Sequence, residues 1–205
     1  MWPKYHGRIT TQALESHVSA AALEAIVAAN LGQDAIRYQV GHDHYHYDNN
    51  SFAAGDAYLA AQRQAIAEAL VRAETRPAWQ AFGRLSHAVQ DFYAHTNYVA
   101  LWREHDPAAT PERVSPLSDA ILNDARLHSG RLYYPLEALS FVPAVAPFVA
   151  ALLPPDSHAR MNKDDPSRPD FEFAFAAAVK RTELEFQAIL GDLSPRQAVL
   201  FAGKL

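Results

Sequence analysis

Three side chains able to hold a metal recur at intervals of four in His87-Ala-Val-Gln-Asp91-Phe-Tyr-Ala-His95. On an α-helix four residues advance about 400°, so His87 and Asp91 stand about 40° apart and one turn along the axis. His95 follows one turn further, about 80° from His87 on the same side. Two imidazoles would thus flank a carboxylate placed to bridge two cations. Leu85, Val89 and Phe92 lie between them and suit burial, so the stripe is expected to face the core. A single His–Asp pair would be an ordinary i,i+4 contact; the triple, in an apolar helix, points to metal.

A second cluster lies upstream, in His42-Asp-His44-Tyr-His46-Tyr-Asp48-Asn49. Alternate histidines in an extended segment would point to one side, which suits a metal as well as a solvated loop. Asp34, in Asn30-Leu-Gly-Gln-Asp34, sits at a predicted helix end, where a carboxylate alone is an ordinary turn residue.

These residues need elements to hold them. The chain has 205 residues, is 49% hydrophobic and 20% charged, and carries 8 glycines among many alanine-rich runs. That length allows one domain with a sizeable core, and the composition leans towards helix. Leu14, Val18, Ala22 and Ile26 predict a helix from about Thr11 to Leu31, capped at Thr10 or Thr11. Gly41 to Ser51 reads as a loop. Helices are predicted from Ala54 to Ala73 and, bearing the stripe, from Ala78 to Trp102, separated at Arg76-Pro77. Pro107, Pro111 and Pro116 bracket a surface loop, and Ser118 to Leu127 forms a shorter helix stopped by Ser129-Gly130.

Ala138 to Leu153 is nearly uncharged and interrupted by Pro143 and Pro147. It is too short and broken for a membrane span, and core burial is expected for it ahead of lipid contact. A polar loop, Pro154 to Pro169, leads into a long helix from Phe171 to Leu190, and Ser194-Pro195 caps a terminal one. No repeat, strand alternation or linker interrupts this pattern, so residues 1–205 read as one all-α bundle.

A net charge of -5 argues against a nucleic-acid binder held by phosphate contacts alone. The absence of cysteine removes thiolate zinc sites and a Cys nucleophile, so any metal must take nitrogen and oxygen ligands from 10 His and 23 Asp and Glu. Met1 to His6 shows no apolar leader core, which predicts a cytoplasmic protein or one exported by a non-standard route.

Taken together, these residues resemble the zinc-dependent phospholipase C and single-strand nuclease superfamily, and its Het-C branch in particular. The matching pieces are Tyr5-His6-Gly7-Arg8-Ile9, Ala29 to Asp34, His46-Tyr-Asp48-Asn49, His87 to Asn97, and His158 to Asp164. The resemblance implies a helical bundle with two or three zinc ions in its core. It implies a first ion on Asp34, His46, His87 and Asp91, and a second on the bridging Asp91, His6 and the N-terminal backbone. A third would take His95 with His158 and Asp164. The chain departs from that pattern in two places: Met1 precedes Trp2, and no His-x-x-x-acid pair follows His95, which leaves His128 with Asp124 as the other third-site pair.

The function so implied is a metal-dependent phosphoester hydrolase, phospholipase C-like foremost. The alternatives are a nuclease or phosphodiesterase, and a non-catalytic, metal-stabilised interaction or toxin domain. Clustered divalent ions acidify water and offset charge on phosphorus, with Asp34 or Asp48 as the expected base. Lys163, Arg160 or Arg84 could hold a phosphate oxygen, and Gln90, Asn97 and Asn49 could orient histidines. Nitrogen and oxygen ligands accept Mn2+ or Ca2+ as well as Zn2+. The expected partner is a phosphoester substrate, a phospholipid above all, with peripheral membrane contact. Nucleic acid would enter only as a substrate, and no obligate protein partner is expected.

Overall fold

The computed structural model describes residues 1–39, 41–106, 108–140, 142 and 144–204, the side chains of Ile36 and Pro147 excepted. Its helices are α1 (Pro3–Leu14), α2 (Ala20–Leu31), α3 (Phe52–Val71), α4 (Thr75–His95), α5 (Tyr98–His105) and α6 (Asp119–Leu122). There follow α7 (Leu136–Ser140), α8 (Ala146–Leu152), α9 (His158–Met161), α10 (Phe171–Asp192) and α11 (Pro195–Ala202). Among the described residues there is no β-strand, only isolated bridges between Thr96 and Ser129 and between Arg131 and Ser157. The expected all-α class is what the chain adopts.

Helix α4 runs through the middle, packed on α2, α3 and α10, while α1 lies against α2 and α10. Every residue from Leu85 to His95 is buried. The α2–α4 crossing is close because Gly83 has no Cβ; one there would strike the carbonyl of Ile26 and the backbone of Asn30. This crossing brings the end of α2, with Asn30 and Asp34, beside the His87 end of the stripe.

Several boundaries differ from expectation: the helix expected over Ser118 to Leu127 spans only Asp119–Leu122, and α4 starts at Thr75, with Pro77 inside its first turn. The run from Thr11 to Leu31 is two helices, broken at Glu15–Ser19, where the Ser19 hydroxyl accepts the amide of Ala22 and starts α2. The period of four through Leu14, Val18, Ala22 and Ile26 survives the break because all four still bury. Residues 3–10 are helical too, with Pro3 in the first turn, which puts His6 on a rigid element. The third helix ends at His95, not Trp102, because Thr96 turns extended before α5 begins.

Helices α7 and α8 pack on each other with a small core of their own, Val149, Leu153 and Ala159. The burial expected for Ala138 to Leu153 holds for one side only: Leu139, Val142, Phe148 and Leu152 are exposed. Pro107, Phe141 and Pro143 lie outside the described residues. No described helix is long and apolar enough to cross a membrane.

Candidate metal centre

The α4 stripe points into the core, and Asp91 stands at its centre, 1% exposed. Its two carboxylate oxygens face different partners. Oδ2 lies 2.9 Å from His46 Nδ1 and 3.0 Å from His87 Nε2. Oδ1 lies 2.7 Å from the Met1 amino group, 3.1 Å from His6 Nε2 and 3.7 Å from His95 Nε2. Asp164 reaches the same side, its Oδ1 3.3 Å from the Met1 amino group and 3.4 Å from His95 Nε2. A third group lies beyond His95, where Asp48 Oδ1 is 2.9 Å from His158 Nδ1 and 3.4 Å from His95 Nδ1.

The ring tautomers expose a conflict. His6 Nδ1 is 2.7 Å from the Gln90 side-chain oxygen, which can only accept, so that nitrogen carries the proton. Gln90 is held in that orientation because its amide donates to Thr10 and Thr182 while its oxygen accepts from Asn30. The neutral ring then turns a bare Nε2 lone pair on the carboxylate oxygen of Asp91. His46 and His95 share only the geometry; for His46, burial is outweighed by Asp91 and its pKa is raised, so a protonated ring donates to both of its partners. His46 Nε2 faces the Tyr38 carbonyl at 3.3 Å, and His95 Nδ1 faces the His46 carbonyl at 3.0 Å. Each leaves its other nitrogen aimed at carboxylate. At His6, lone pair against lone pair is repulsive unless a cation lies between.

Buried polar atoms without a hydrogen-bond partner gather in the same place: His6 Nε2, Asp34 Oδ2 and His87 Nδ1, while Asp164 Oδ1 has only the ion-pair contacts to Met1 and His95. Such atoms are costly in a protein interior, and their concentration suits metal ligands. Among the described residues three groups have the ligand spacing for an ion, the first two sharing His87: His6, Asp34 and His87; His46, His87 and Asp91; and, separate from these, Asp48, His95 and His158. Burial pushes the His87 imidazole down to about 4 and also lowers His6, which keeps both neutral and able to ligate. Burial raises Asp34. Asp91 is held well below the carboxylate range, its desolvation outweighed by the Met1 amino group and the surrounding histidines. For His158, burial is likewise outweighed by Asp48, and its pKa rises to about 9.

Asp34, His46, Asp48, Asp91, His95, His158 and Asp164 all border a cleft of about 880 Å³, while His6 and His87 lie beneath its floor. Asp34 is the most open of the four acids, at 23% side-chain exposure. Its lining also includes apolar side chains, Leu132, Ala146, Ala150 and Ala159 with Tyr134.

Several sequence-based expectations need correction. Residues 43–45 and 48–50 form tight 3-10 turns, so the segment is not extended. His46 alone of its three histidines turns inward, while the His42 ring stacks on Tyr45 and His44 packs edge-on to Tyr45 and Tyr58. Lys163 is not a phosphate ligand: it is buried, and its ammonium donates to the carbonyls of Ala94 and Thr96 at the end of α4 and of Met161 at the end of α9. Arg84 donates to Gln62, and Arg160 to the Leu153 carbonyl. Gln90 does orient a histidine, but Asn97 binds Arg126 and His128 backbone, and Asn49 binds Asp43 and the Leu132 amide. His128 and Asp124 pair with Arg126 groups away from the stripe.

Asp48 is a partner of His158 and His95, a role that spacing could not reveal because His158 lies 110 residues away. Gly130 permits that approach, since a Cβ there would run into the His158 backbone. The Met1 amino group lies beside Asp91 and Asp164, where the resemblance had implied N-terminal backbone.

Comparison with known families yields a match between residues 6–112 and the VWA7 N-terminal domain, just over half of the chain. No curated protein and no solved structure gives a significant match. The family match overturns the resemblance to Het-C, phospholipase C and the nucleases, and with it the kinship from which the hydrolase and phospholipase C descriptions were borrowed; neither description follows from the family found. The shared pieces were short metal-ligand spacings, which unrelated helical proteins can reach because α-helix geometry itself favours them.

Proposed function

The chain belongs to the VWA7 N-terminal domain family, and for it we propose a centre of two or three divalent ions, zinc foremost, that receives a phosphoester at the cleft and promotes its hydrolysis. The proposal rests on the site's own chemistry, not on kinship. The observation that carries it is the bare Nε2 of the neutral His6 ring aimed at Asp91, with ring nitrogens of His46, His87 and His95 converging on the same carboxylate. Asp91 would bridge, one oxygen with His46 and His87 and the other with His6 and Asp164. Asp48, His95 and His158 would hold the third position.

Bound divalent ions supply Lewis acidity towards a phosphoester oxygen and lower the pKa of water. The protein's part is to hold its ligands in place: Gln90 locks His6, the Tyr38 and His46 carbonyls lock His46 and His95, and burial excludes bulk water. Asp34, on the cleft wall, is the carboxylate best placed to accept a proton from an incoming water.

Metal analysis of the purified chain, run with a chromogenic phosphodiester assay, tests both halves. We expect two or three ions per chain, cleavage that a chelator abolishes, and loss of most metal in Asp91→Asn. Full metal content in Asp91→Asn would sink the bridging role. Bound metal without any cleavage would assign the centre to a non-catalytic, metal-stabilised domain.

A further inference from the structure

The arm formed by α7 and α8 shows hydrocarbon to solvent where a surface is normally polar. Phe148 is 74% and Leu152 75% exposed, and with Val145 they lie three and four residues apart, on one side of the helix. The other side carries Val149 and Leu153 into the arm's small core. Leu139 and Val142 extend the exposed surface on the first half of the arm. Between Glu137 and Asp156 the sequence has no charged side chain. Glu137 is itself buried, its carboxylate accepting the amides of Ala159 and Tyr133.

Exposed cations and aromatic rings stand at the border of this surface, outside the carboxylates of the cleft. Arg160 donates to the Leu153 carbonyl at the end of the arm, and Arg131, 58% exposed, precedes Leu132 on the shared cleft wall. Across the cleft mouth Trp2 is half exposed, with the Lys4 ammonium 5.3 Å from its ring. Tyr134 is equally exposed on the arm's side. Asp156, the acid nearest the arm's end, lies 3.9 Å from Arg131. These cations collect here although the chain as a whole carries -5.

We propose that the α7–α8 arm and the adjoining cleft rim form a docking face for a lipid bilayer bearing anionic head groups. Phe148 and Leu152 would enter the acyl boundary, Trp2 and Tyr134 would sit at the head-group level, and Lys4, Arg131 and Arg160 would meet lipid phosphates. Charge decides between this occupant and a second copy of the chain. A twofold dimer through the same face would set the three cations against their own kind, whereas an anionic membrane complements them. The proposal does not depend on metal in the cleft.

Sedimentation with vesicles of phosphatidylcholine, with and without phosphatidylserine, tests it on the full chain. Wild type is expected to partition onto the mixed vesicles, and Phe148→Asp to weaken that partition by roughly tenfold or more, with unchanged far-ultraviolet circular dichroism. Phe148→Trp should keep binding and shift its emission to the blue, and Arg131→Glu should reduce binding several-fold on the mixed vesicles alone. The proposal is overturned if wild type stays in the supernatant, or if Phe148→Asp binds equally well. It is overturned also if wild type is a dimer that Phe148→Asp dissociates.

Discussion

The floor of the cleft and its outer arm invert the usual division of a protein in opposite senses. At the cleft's base, His6, His87 and Asp91 are buried; on the arm, Phe148 and Leu152 are three-quarters exposed to water. Each arrangement costs free energy in the isolated chain, since buried charge lacks solvent and exposed hydrocarbon orders it. The two are compensated differently. The floor is braced by hydrogen bonds from α1, α2, α4 and α10 through Thr10, Asn30, Gln90 and Thr182, whereas the arm packs on itself and α9. Polar groups aimed at a common point are stabilised by an ion, and an apolar face by another apolar phase. The contrast teaches that one region asks for a cation and the other for a surface.

Removing the cation should give the largest effect on this contrast. With metal at about a thousand times its dissociation constant, binding stabilises a folded chain by roughly 4 kcal/mol. Chelation is therefore expected to lower the melting temperature by about 10 °C in a domain of this length. A melting temperature that ignores chelator would leave the floor without the ion argued for it.

Lys163→Met comes next. Its ammonium caps the last carbonyls of α4, and the following residue is Asp164. Leaving those carbonyls unmet should cost about 1–3 kcal/mol in urea unfolding, and metal content should fall with the loosening of His95 and Asp164. A variant as stable and as metal-rich as wild type would show that the end of α4 needs no cap.

The smallest effect belongs to the arm. Leu152→Ser removes hydrocarbon that touches mainly water, so stability should change by no more than about 0.5 kcal/mol. A loss of several kcal/mol in the same urea titration would mean that the arm's outer side is packed after all, and the contrast would collapse.

The stripe was legible in the sequence because its geometry is local: a spacing of four, repeated, needs nothing but a helix to bring His87, Asp91 and His95 to one side. The all-helical class was legible for the same reason, through apolar periodicity and scarce glycine. Boundaries were less so. The stop at His95 rests on Thr96 and Asn97 pairing with the strand-like segment near Ser129, and the break before Ala20 on the Ser19 cap, choices that apolar period does not report. Among three alternate histidines, nothing local marks His46 as the one turned inward. The family was misread from ligand spacings that helices share by geometry.

By itself, then, the sequence determined the helices, the single ligand stripe and the uncharged run that became the arm, because each depends on neighbours a few residues apart. Only the tertiary structure decided that Asp48 meets His158, that Gln90 fixes the His6 tautomer, that Lys163 faces a helix end and that the arm shows its apolar side outward. Those outcomes join residues tens to more than a hundred positions apart. They follow from close crossings such as that at Gly83, where the fit of two backbones, not the identity of either segment, sets which side chains meet.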